Sequence, residues 1–111
     1  MRNTRLLFIC TGNRDRSPTA EDLCRNLDGY EAKSAGTSSF ATQTITQELI
    51  DWADKIFVMC EAEDRHLTFL KSRFKLGNKD VYDLDIPDQY ERGSERLKRL
   101  LWVKLAPYLK R

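Results

Sequence analysis

The chain has 111 residues, 41% of them hydrophobic and 32% charged, a balance typical of a folded globular protein rather than a disordered one. Its length predicts one domain, over residues 1–111, with one hydrophobic core. The 19 Lys and Arg residues against 17 Asp and Glu residues give a net charge of +2, which argues against binding to nucleic acid or to an anionic membrane. No apolar run approaches the roughly 20 residues of a membrane span, and the run at residues 6–9 is too short for a signal-peptide core, so we expect a cytoplasmic protein.

A buried strand followed by a polar loop is predicted at the start of the chain. Residues 5–10 form a short, mostly apolar run, which favours a buried strand. Residues 11–17 are polar and contain Gly12 and Asn13, which both tolerate a positive φ. Ser17 is a good N-cap residue that precedes a proline, and it predicts the start of a helix.

The rest of the chain alternates between predicted helices and strands. In order they are a helix that ends at residues 28–29, a strand at 30–34, a helix at 46–52, a strand at 55–59, a helix at 61–74, a strand at 80–84 and a helix at 94–108. This order predicts an α/β fold with an open four-stranded parallel sheet flanked by helices. Ligands of such folds bind beyond the carboxyl ends of the strands, where the loops at 11–17, after Met59 and at 85–90 are expected to meet.

The three cysteines are widely spaced and do not predict a disulfide framework. With one histidine and no closely paired cysteines, the chain does not predict a structural zinc site, and we expect no metal and no cofactor. Cys24 falls on the apolar face of the first helix and is predicted to be part of the core. Cys60 ends the third strand, either as an ordinary buried residue or as a resolving thiol near the loop that follows Cys10.

Residues 10–17, which we call the phosphate loop, predict chemistry at a phosphoryl group. Cys10 ends a strand, five residues follow, and Arg16 comes just before the helix. Five residues are about enough to wrap backbone N–H groups around a tetrahedral anion, and the helix start adds its positive end. Arg16 offers a planar fork for two phosphate oxygens, and the same positive cup favours the nucleophilic thiolate form of Cys10. The predicted phosphate-binding residues are Thr11, Gly12, Asn13, Arg14, Asp15, Arg16 and Ser17. The alternative is that Cys10 is an ordinary buried residue and Arg16 a surface residue.

At these residues the sequence resembles the low-molecular-weight protein tyrosine phosphatase family, in a shortened bacterial branch. The family pattern Cys-x-Gly-Asn-x-x-Arg-Ser-Pro-x-Ala-Glu is present at Cys10, Gly12, Asn13, Arg16, Ser17, Pro18, Ala20 and Glu21. Residues 34–37 match the family's Ser-Ala-Gly-Thr, residues 53–59 look like its third strand, and residues 85–88 resemble its acid-bearing loop. The resemblance implies a metal-independent cysteine phosphatase that hydrolyses aryl phosphate monoesters, with phosphotyrosine in a protein or a small aryl phosphate as substrate.

The resemblance also implies a role for each matching residue of the phosphate loop. Cys10 is the expected nucleophile, which forms a phosphocysteine intermediate. Arg16 is expected to bind the phosphate and the transition state. Ser17 is expected to hydrogen-bond the thiolate, and Asn13 to hold the loop in shape through Ser34.

The resemblance implies that the 85–90 segment supplies the general acid, and the chain departs from the family there. Asp88 is the expected acid and later base, but Gln89 follows it where the family usually has proline, so Asp85 stays open as an alternative. Tyr90 is expected to line the substrate rim. Asp15 stands where many members carry a second cysteine, and the chain is shorter than usual, mainly between residues 37 and 46, which predicts a more open pocket.

Two other functions are compatible with the same loop. One is a phosphate- or phosphopeptide-binding module that has lost efficient acid catalysis through the altered segment around Asp88. The other is an arsenate reductase, which needs resolving cysteines, and Cys60 is the one cysteine whose predicted position suits that role.

Overall fold

Four short segments pair in parallel to form the central sheet of the computed structural model, which describes residues 3–109. The strands are β1 (Thr4–Cys10), β2 (Tyr30–Gly36), β3 (Lys55–Val58) and β4 (Asp80–Asp83). Their order across the sheet is β2-β1-β3-β4, and each neighbouring pair is parallel. This confirms the predicted α/β fold with an open four-stranded parallel sheet.

Helices cover both faces of the sheet, because side chains along each strand point alternately to opposite faces. The helices are α1 (Arg16–Arg25), α2 (Gln47–Trp52), α3 (Glu61–Asp64), α4 (His66–Arg73) and α5 (Glu95–Leu105), and a 3-10 turn (Ala106–Tyr108) follows α5. Leu6 and Phe8 of β1 pack in one apolar cluster with residues of α1 and α5. Leu7 and Ile9 pack in a second cluster with residues of α2 and α4.

Two helix predictions were wrong in ways that bear on the site. Ser17 was predicted as the N-cap, but α1 begins at Arg16 with Asp15 in the N-cap position, and the Ser17 hydroxyl does not cap the helix, because that hydroxyl contacts Cys10. The single helix predicted at 61–74 is two helices, separated at Arg65, which has a left-handed φ of 56°. By contrast, Thr46 caps α2 as predicted, with its side chain accepting a hydrogen bond from the Leu49 amide.

The register of the sheet brings the carboxyl ends of the strands together. Cys10 of β1 lies beside Gly36 of β2, and Ile9 lies beside Val58 of β3. The loops that follow the four strands therefore share one edge of the sheet, as the topology of the sequence predicted. Within residues 3–109, no helix is long and apolar enough to cross a membrane.

Candidate active site

The backbone of the phosphate loop is held from outside by the β2–α2 loop (residues 37–46). The amides of Thr37, Ser38 and Thr42 donate to the carbonyls of Cys10, Thr11 and Gly12, at 2.9, 3.0 and 3.2 Å. Across the part of the chain that the structure describes, the amides of residues 12–15 donate to no protein acceptor. With the carbonyls engaged outside and the amides unused, the loop has the donor arrangement of an anion-binding cup.

Gly36 permits the close approach of these two loops. A Cβ atom at this position would lie 2.4 Å from the Thr11 carbonyl oxygen and 2.7 Å from the Ala41 Cβ atom. Both distances are far below van der Waals contact, so a side chain here would push the β2–α2 loop away from the phosphate loop. In the sequence, Gly36 stood out only as part of the Ser-Ala-Gly-Thr match at residues 34–37.

A chain of hydrogen bonds links Cys10 to the second strand. The Cys10 Sγ and Ser17 Oγ atoms are 2.9 Å apart, and Asn13 Nδ2 donates to the hydroxyls of Ser17 and Ser34, both at 2.9 Å. Ser34 in turn donates to Glu21. Because Asn13 already donates to Ser17 Oγ, the Ser17 hydroxyl hydrogen is left for one of two acceptors, Cys10 Sγ at 2.9 Å or the Ala35 carbonyl oxygen at 3.4 Å, and the shorter contact favours Cys10. Asn13 itself adopts a left-handed φ of 52°, a conformation that asparagine accepts better than most residues.

Arg16 is buried rather than exposed, with only 2% of its side chain accessible. Its Nη1 donates to the Ile86 carbonyl oxygen at 2.8 Å and lies 2.8 Å from Asp64 Oδ2. A buried guanidinium needs such partners, because an unpaired buried charge is costly. These two contacts hold the Nη1 end of the Arg16 side chain, and Asp64 carried no signal in the sequence.

The two candidate acids lie in different surroundings within residues 85–93, which we call the 85–93 segment. Asp88 lines the cavity around the phosphate loop, is 63% exposed, and has its Oδ1 3.9 Å from Arg16 Nε. Asp85 has a left-handed φ of 55° and is not among the residues that line this cavity. Its Oδ1 lies 3.9 Å from the Sγ atom of Cys60.

The 85–93 segment is tied to helix α1 beyond Asp88. The Arg92 amide donates to Asp15 Oδ1 at 3.0 Å, and the Gly93 amide donates to Thr19 Oγ1 at 3.0 Å. Asp15 therefore anchors the segment that carries Asp88.

The cavity has a volume of about 330 Å³ and collects most of the predicted site residues. It is lined by Cys10, Thr11, Gly12, Arg14, Asp15, Arg16, Ser38, Phe40 and Asp88. Asn13, Ser17 and Ser34, which were predicted to support the loop, are buried and make the contacts described above. Asn13 and Ser17 were also predicted to bind phosphate, but neither is among the residues that line the cavity.

The predicted rim position of Tyr90 differs from the structure. Tyr90 is half-buried, packs against the core cluster that contains α5, and does not line the cavity. Phe40, which is 87% exposed, is the aromatic residue at the rim. Phe40 is the one aromatic residue in an otherwise polar stretch of sequence, and this was the signal that could have found it. The prediction favoured Tyr90 instead because Tyr90 lies two residues after Asp88.

The remaining cysteines lie away from the cavity. Cys24 is part of the core, as predicted, and burial raises the pKa of its thiol to about 12. Cys60 is buried and does not line the cavity. Among the described residues 3–109, no group of three or more His, Cys, Asp or Glu side chains is arranged to hold a metal ion.

Comparison with known proteins identifies the family to which this geometry belongs. Residues 5–53, which include the phosphate loop, match the family described as Low molecular weight phosphotyrosine protein phosphatase. The Ralstonia solanacearum protein named Probable low molecular weight protein-tyrosine-phosphatase EpsP is 30% identical over 111 residues, covering 74% of this chain and 77% of that protein. The chain belongs to the low molecular weight protein tyrosine phosphatase family. The relatives are named as phosphatases, which are hydrolases.

Other relatives extend the comparison in sequence and in structure. A Geobacillus stearothermophilus protein named Protein-arginine-phosphatase is 28% identical over 115 residues, covering 82% of this chain and 74% of that protein. The crystal structure of YfkJ from Bacillus subtilis matches with a TM-score of 0.75 at 22% identity, covering 97% of this chain and 93% of that one. Vibrio vulnificus Wzb in complex with benzylphosphonate matches with a TM-score of 0.76 at 20% identity, covering 95% and 96%. At these identities the two structural matches establish the shared fold.

Proposed function

We propose that this protein is a metal-independent cysteine phosphatase that hydrolyses aryl phosphate monoesters, above all phosphotyrosine, through a phosphocysteine intermediate. The observation that carries the proposal is the grouping of Cys10, Arg16 and Asp88 around one cavity, with the Ser17 hydroxyl 2.9 Å from the Cys10 sulfur. Nucleophile, charge-stabilising group and proton donor are thereby within reach of one bound phosphoryl group. Family membership supports the same conclusion.

In the first step, the Cys10 thiolate attacks phosphorus and a sulfur–phosphorus bond forms as the bond to the aryl oxygen breaks. Asp88 gives its proton to the departing oxygen, so that a neutral phenol leaves. Arg16 and the loop amides stabilise the charge that spreads over the phosphoryl oxygens in the transition state. Because the Arg16 fork is already held by Ile86 and Asp64, little reorganisation is needed during the reaction.

In the second step, Asp88 takes a proton from a water molecule, and the oxygen of that water attacks phosphorus. The sulfur–phosphorus bond breaks, inorganic phosphate is released, and Asp88 is again protonated. Ser17 donates its hydrogen bond to the sulfur as negative charge returns to it, which makes the thiolate a better leaving group. The geometry that supports Asp88 rather than Asp85 in both steps is its position on the cavity.

Phe40 supports an aromatic substrate. Its ring is exposed at the rim, where it can stack against an aryl group whose phosphate is bound in the loop. A phosphorylated protein side chain that extends from its backbone can reach such an open site.

Phosphoarginine is a second candidate substrate, because one relative is named a protein-arginine-phosphatase. The carboxylates of Asp15 and Asp88 line the cavity and offer partners for a guanidinium group. Hydrolysis rates of two peptides that differ only in carrying phosphotyrosine or phosphoarginine distinguish the candidates. A higher kcat/KM for the phosphotyrosine peptide is expected, and the reverse preference would replace the aryl substrate by phosphoarginine.

Hydrolysis of p-nitrophenyl phosphate in EDTA, between about pH 5 and pH 8, tests the proposed chemistry directly. Wild type should turn over with a bell-shaped pH profile, and Cys10→Ser should lose turnover while it still binds phosphate. No turnover by wild type, with phosphate still raising the melting temperature, would indicate a binding module instead. Turnover of arsenate with thioredoxin that is lost in Cys60→Ala would indicate the reductase.

A further inference from the structure

His66, the single histidine of the chain, is completely buried and lies against the phosphate loop. Its Nδ1 accepts a hydrogen bond from the Cys60 amide at 3.1 Å, and its Nε2 lies 2.9 Å from the Thr11 hydroxyl oxygen. The phosphatase steps described above do not use His66.

The contact with Cys60 determines which ring nitrogen carries the proton. A backbone amide can only donate, so Nδ1 must be the unprotonated nitrogen. In the neutral ring the hydrogen is then on Nε2, which donates to Thr11 Oγ1. The direction of the His66–Thr11 hydrogen bond is thereby fixed.

The charges that face the imidazole come from three neighbouring elements. Burial and the nearby Arg16 guanidinium lower the pKa of His66 to about 4, against the opposing influence of Asp64, Asp83 and Glu61. The ring is therefore neutral near pH 7, and its Nε2–H group donates to Thr11 Oγ1 at 2.9 Å, with Asp64 Oδ2 farther from Nε2 at 3.8 Å.

The break between α3 and α4 allows two neighbouring side chains to reach the phosphate loop. In a continuous helix, residues two apart do not face the same side. The left-handed Arg65 interrupts the helix, and Asp64 contacts Arg16 while His66 contacts Thr11. The unpredicted break thus places both contacts on one loop.

We propose that His66 is a positioning residue, which holds Thr11 and with it the first turn of the phosphate loop beside Cys10. Thr11 is the residue directly after the predicted nucleophile, and its carbonyl already accepts from the Ser38 amide at 3.0 Å. The Nε2–H group of His66 holds Thr11 a second time, through its side-chain hydroxyl. The proposal rests on the proposed function, since the loop that His66 positions is the one that binds the phosphoryl group.

Two matched pairs of variants test the kinetic consequence on p-nitrophenyl phosphate. Thr11→Val removes the hydroxyl and keeps the shape, whereas Thr11→Ser keeps the hydroxyl. His66→Asn keeps an acceptor near the Nδ1 position, whereas His66→Gln keeps a donor near the Nε2 position. One hydrogen bond corresponds to about a 3- to 10-fold effect, so kcat/KM of Thr11→Val should lie that far below Thr11→Ser, and His66→Asn below His66→Gln.

The loss should fall mainly on kcat, because loop geometry matters most when charge builds on the phosphoryl oxygens. Combining Thr11→Val with His66→Asn should cost little more than either change alone, since both remove the same bond. Equal kcat/KM values for the two Thr11 variants would overturn the proposal.

A second measurement uses the wild-type protein and does not depend on catalytic turnover. Long-range ¹H–¹⁵N correlation on the ¹⁵N-labelled wild-type chain reports the tautomer of its only histidine without an assignment problem. The Nε2–H tautomer should persist from pH 7 to about pH 5, and inorganic phosphate should shift its signals. An Nδ1–H tautomer would overturn the proposal, because Nε2 could then not donate to Thr11.

Failure of the proposed function would look different from failure of this inference. If wild type hydrolysed no phosphate ester, the proposed function would fail. The tautomer of His66 in the wild-type chain would still decide the inference, because donation to Thr11 requires a hydrogen on Nε2 and an Nδ1–H tautomer would reject it.

Discussion

The phosphate loop and the 85–93 segment face the same cavity but are held in opposite ways. In the phosphate loop, Asn13, Arg16 and Ser17 are buried and each makes hydrogen bonds to other parts of the protein. In the 85–93 segment, Asp88 is 63% exposed, and hydrogen bonds on either side of it tie the segment down, from Ile86 to Arg16 and from Arg92 and Gly93 to Asp15 and Thr19. The anion site is therefore preorganised by buried contacts, whereas Asp88 lies on an exposed stretch that is held only by the residues on either side of it.

This difference separates two kinds of effect. A change at Asn13, Arg16 or Ser17, the buried residues of the phosphate loop, should lower both the free energy of unfolding and the rate, because the same contacts support both. A change at Asp88 should lower the rate alone. The predictions below test that separation, beginning with the largest expected effect.

Replacing Arg16 with lysine should have the largest effect. Lysine lacks the planar fork, so kcat/KM for p-nitrophenyl phosphate should fall on the order of 10³-fold. The Ile86 carbonyl and Asp64 would also lose their partner, which should lower the free energy of unfolding by about 2 kcal/mol. Kinetics and urea denaturation on the same preparation measure kcat/KM and the free energy of unfolding. A large loss of rate with the stability of wild type would contradict the view that the same contacts support both.

Replacing Asp88 with asparagine should lower kcat by about 10²-fold for phenyl phosphate, whose leaving group needs a proton. The loss should be much smaller for p-nitrophenyl phosphate, which has a better leaving group. Because Asp88 is exposed, urea denaturation should find stability close to wild type.

Asp85→Asn provides the matched control in the same segment. It should leave the ratio between the two substrates at the wild-type value, since Asp85 does not line the cavity. If Asp85→Asn changed that ratio and Asp88→Asn did not, the general acid would be Asp85.

Gly36→Ala tests the support behind the phosphate loop. The added Cβ would lie 2.4 Å from the Thr11 carbonyl oxygen, so the free energy of unfolding should fall by about 3 kcal/mol. For the urea measurement, Gly12→Ala is the matched control, because its Cβ would meet nothing closer than the Arg14 side chain at 3.8 Å. Equal stability of the two variants would mean that the two loops separate freely.

Phe40→Ala should have the smallest effect, limited to substrate binding. Loss of a stacking contact should raise KM for aryl phosphates by about 2- to 5-fold, with little change in stability because the side chain is 87% exposed. Comparison with Tyr90→Phe, which changes a residue away from the cavity, shows whether the effect is specific. An unchanged KM for Phe40→Ala would remove Phe40 from the substrate rim.

Contiguous features of the site could be predicted from the sequence. Cys10, the intervening loop and Arg16 lie within one strand–loop–helix unit, where spacing and residue type determine geometry through local backbone rules. Asn13 accepts its left-handed conformation for the same local reason. The parallel order of the sheet also followed, because alternating strands and helices have few alternative arrangements.

Features created by tertiary contact could not be predicted. A left-handed arginine at position 65 has no local signal, because arginine is an ordinary helix residue, and the helix prediction therefore ran through it. Ser17 looked like an N-cap because serine usually serves in that way, but its hydroxyl bonds Cys10 across the loop. The position of Phe40 at the rim depends on how the β2–α2 loop folds against the phosphate loop, and pattern reasoning does not determine that.

Direct detection of the phosphocysteine is the measurement that tests the central claim most sharply. Asp88→Asn, which should slow the second step, is mixed with p-nitrophenyl phosphate, quenched in acid and digested for mass spectrometry. The account predicts one added phosphoryl group on the peptide that contains Cys10 and none in the Cys10→Ser control. Covalent catalysis by Cys10 would be contradicted if the protein released phosphate in EDTA while this peptide never carried a phosphoryl group. It would also be contradicted if the peptide carried the group equally after Cys10→Ser.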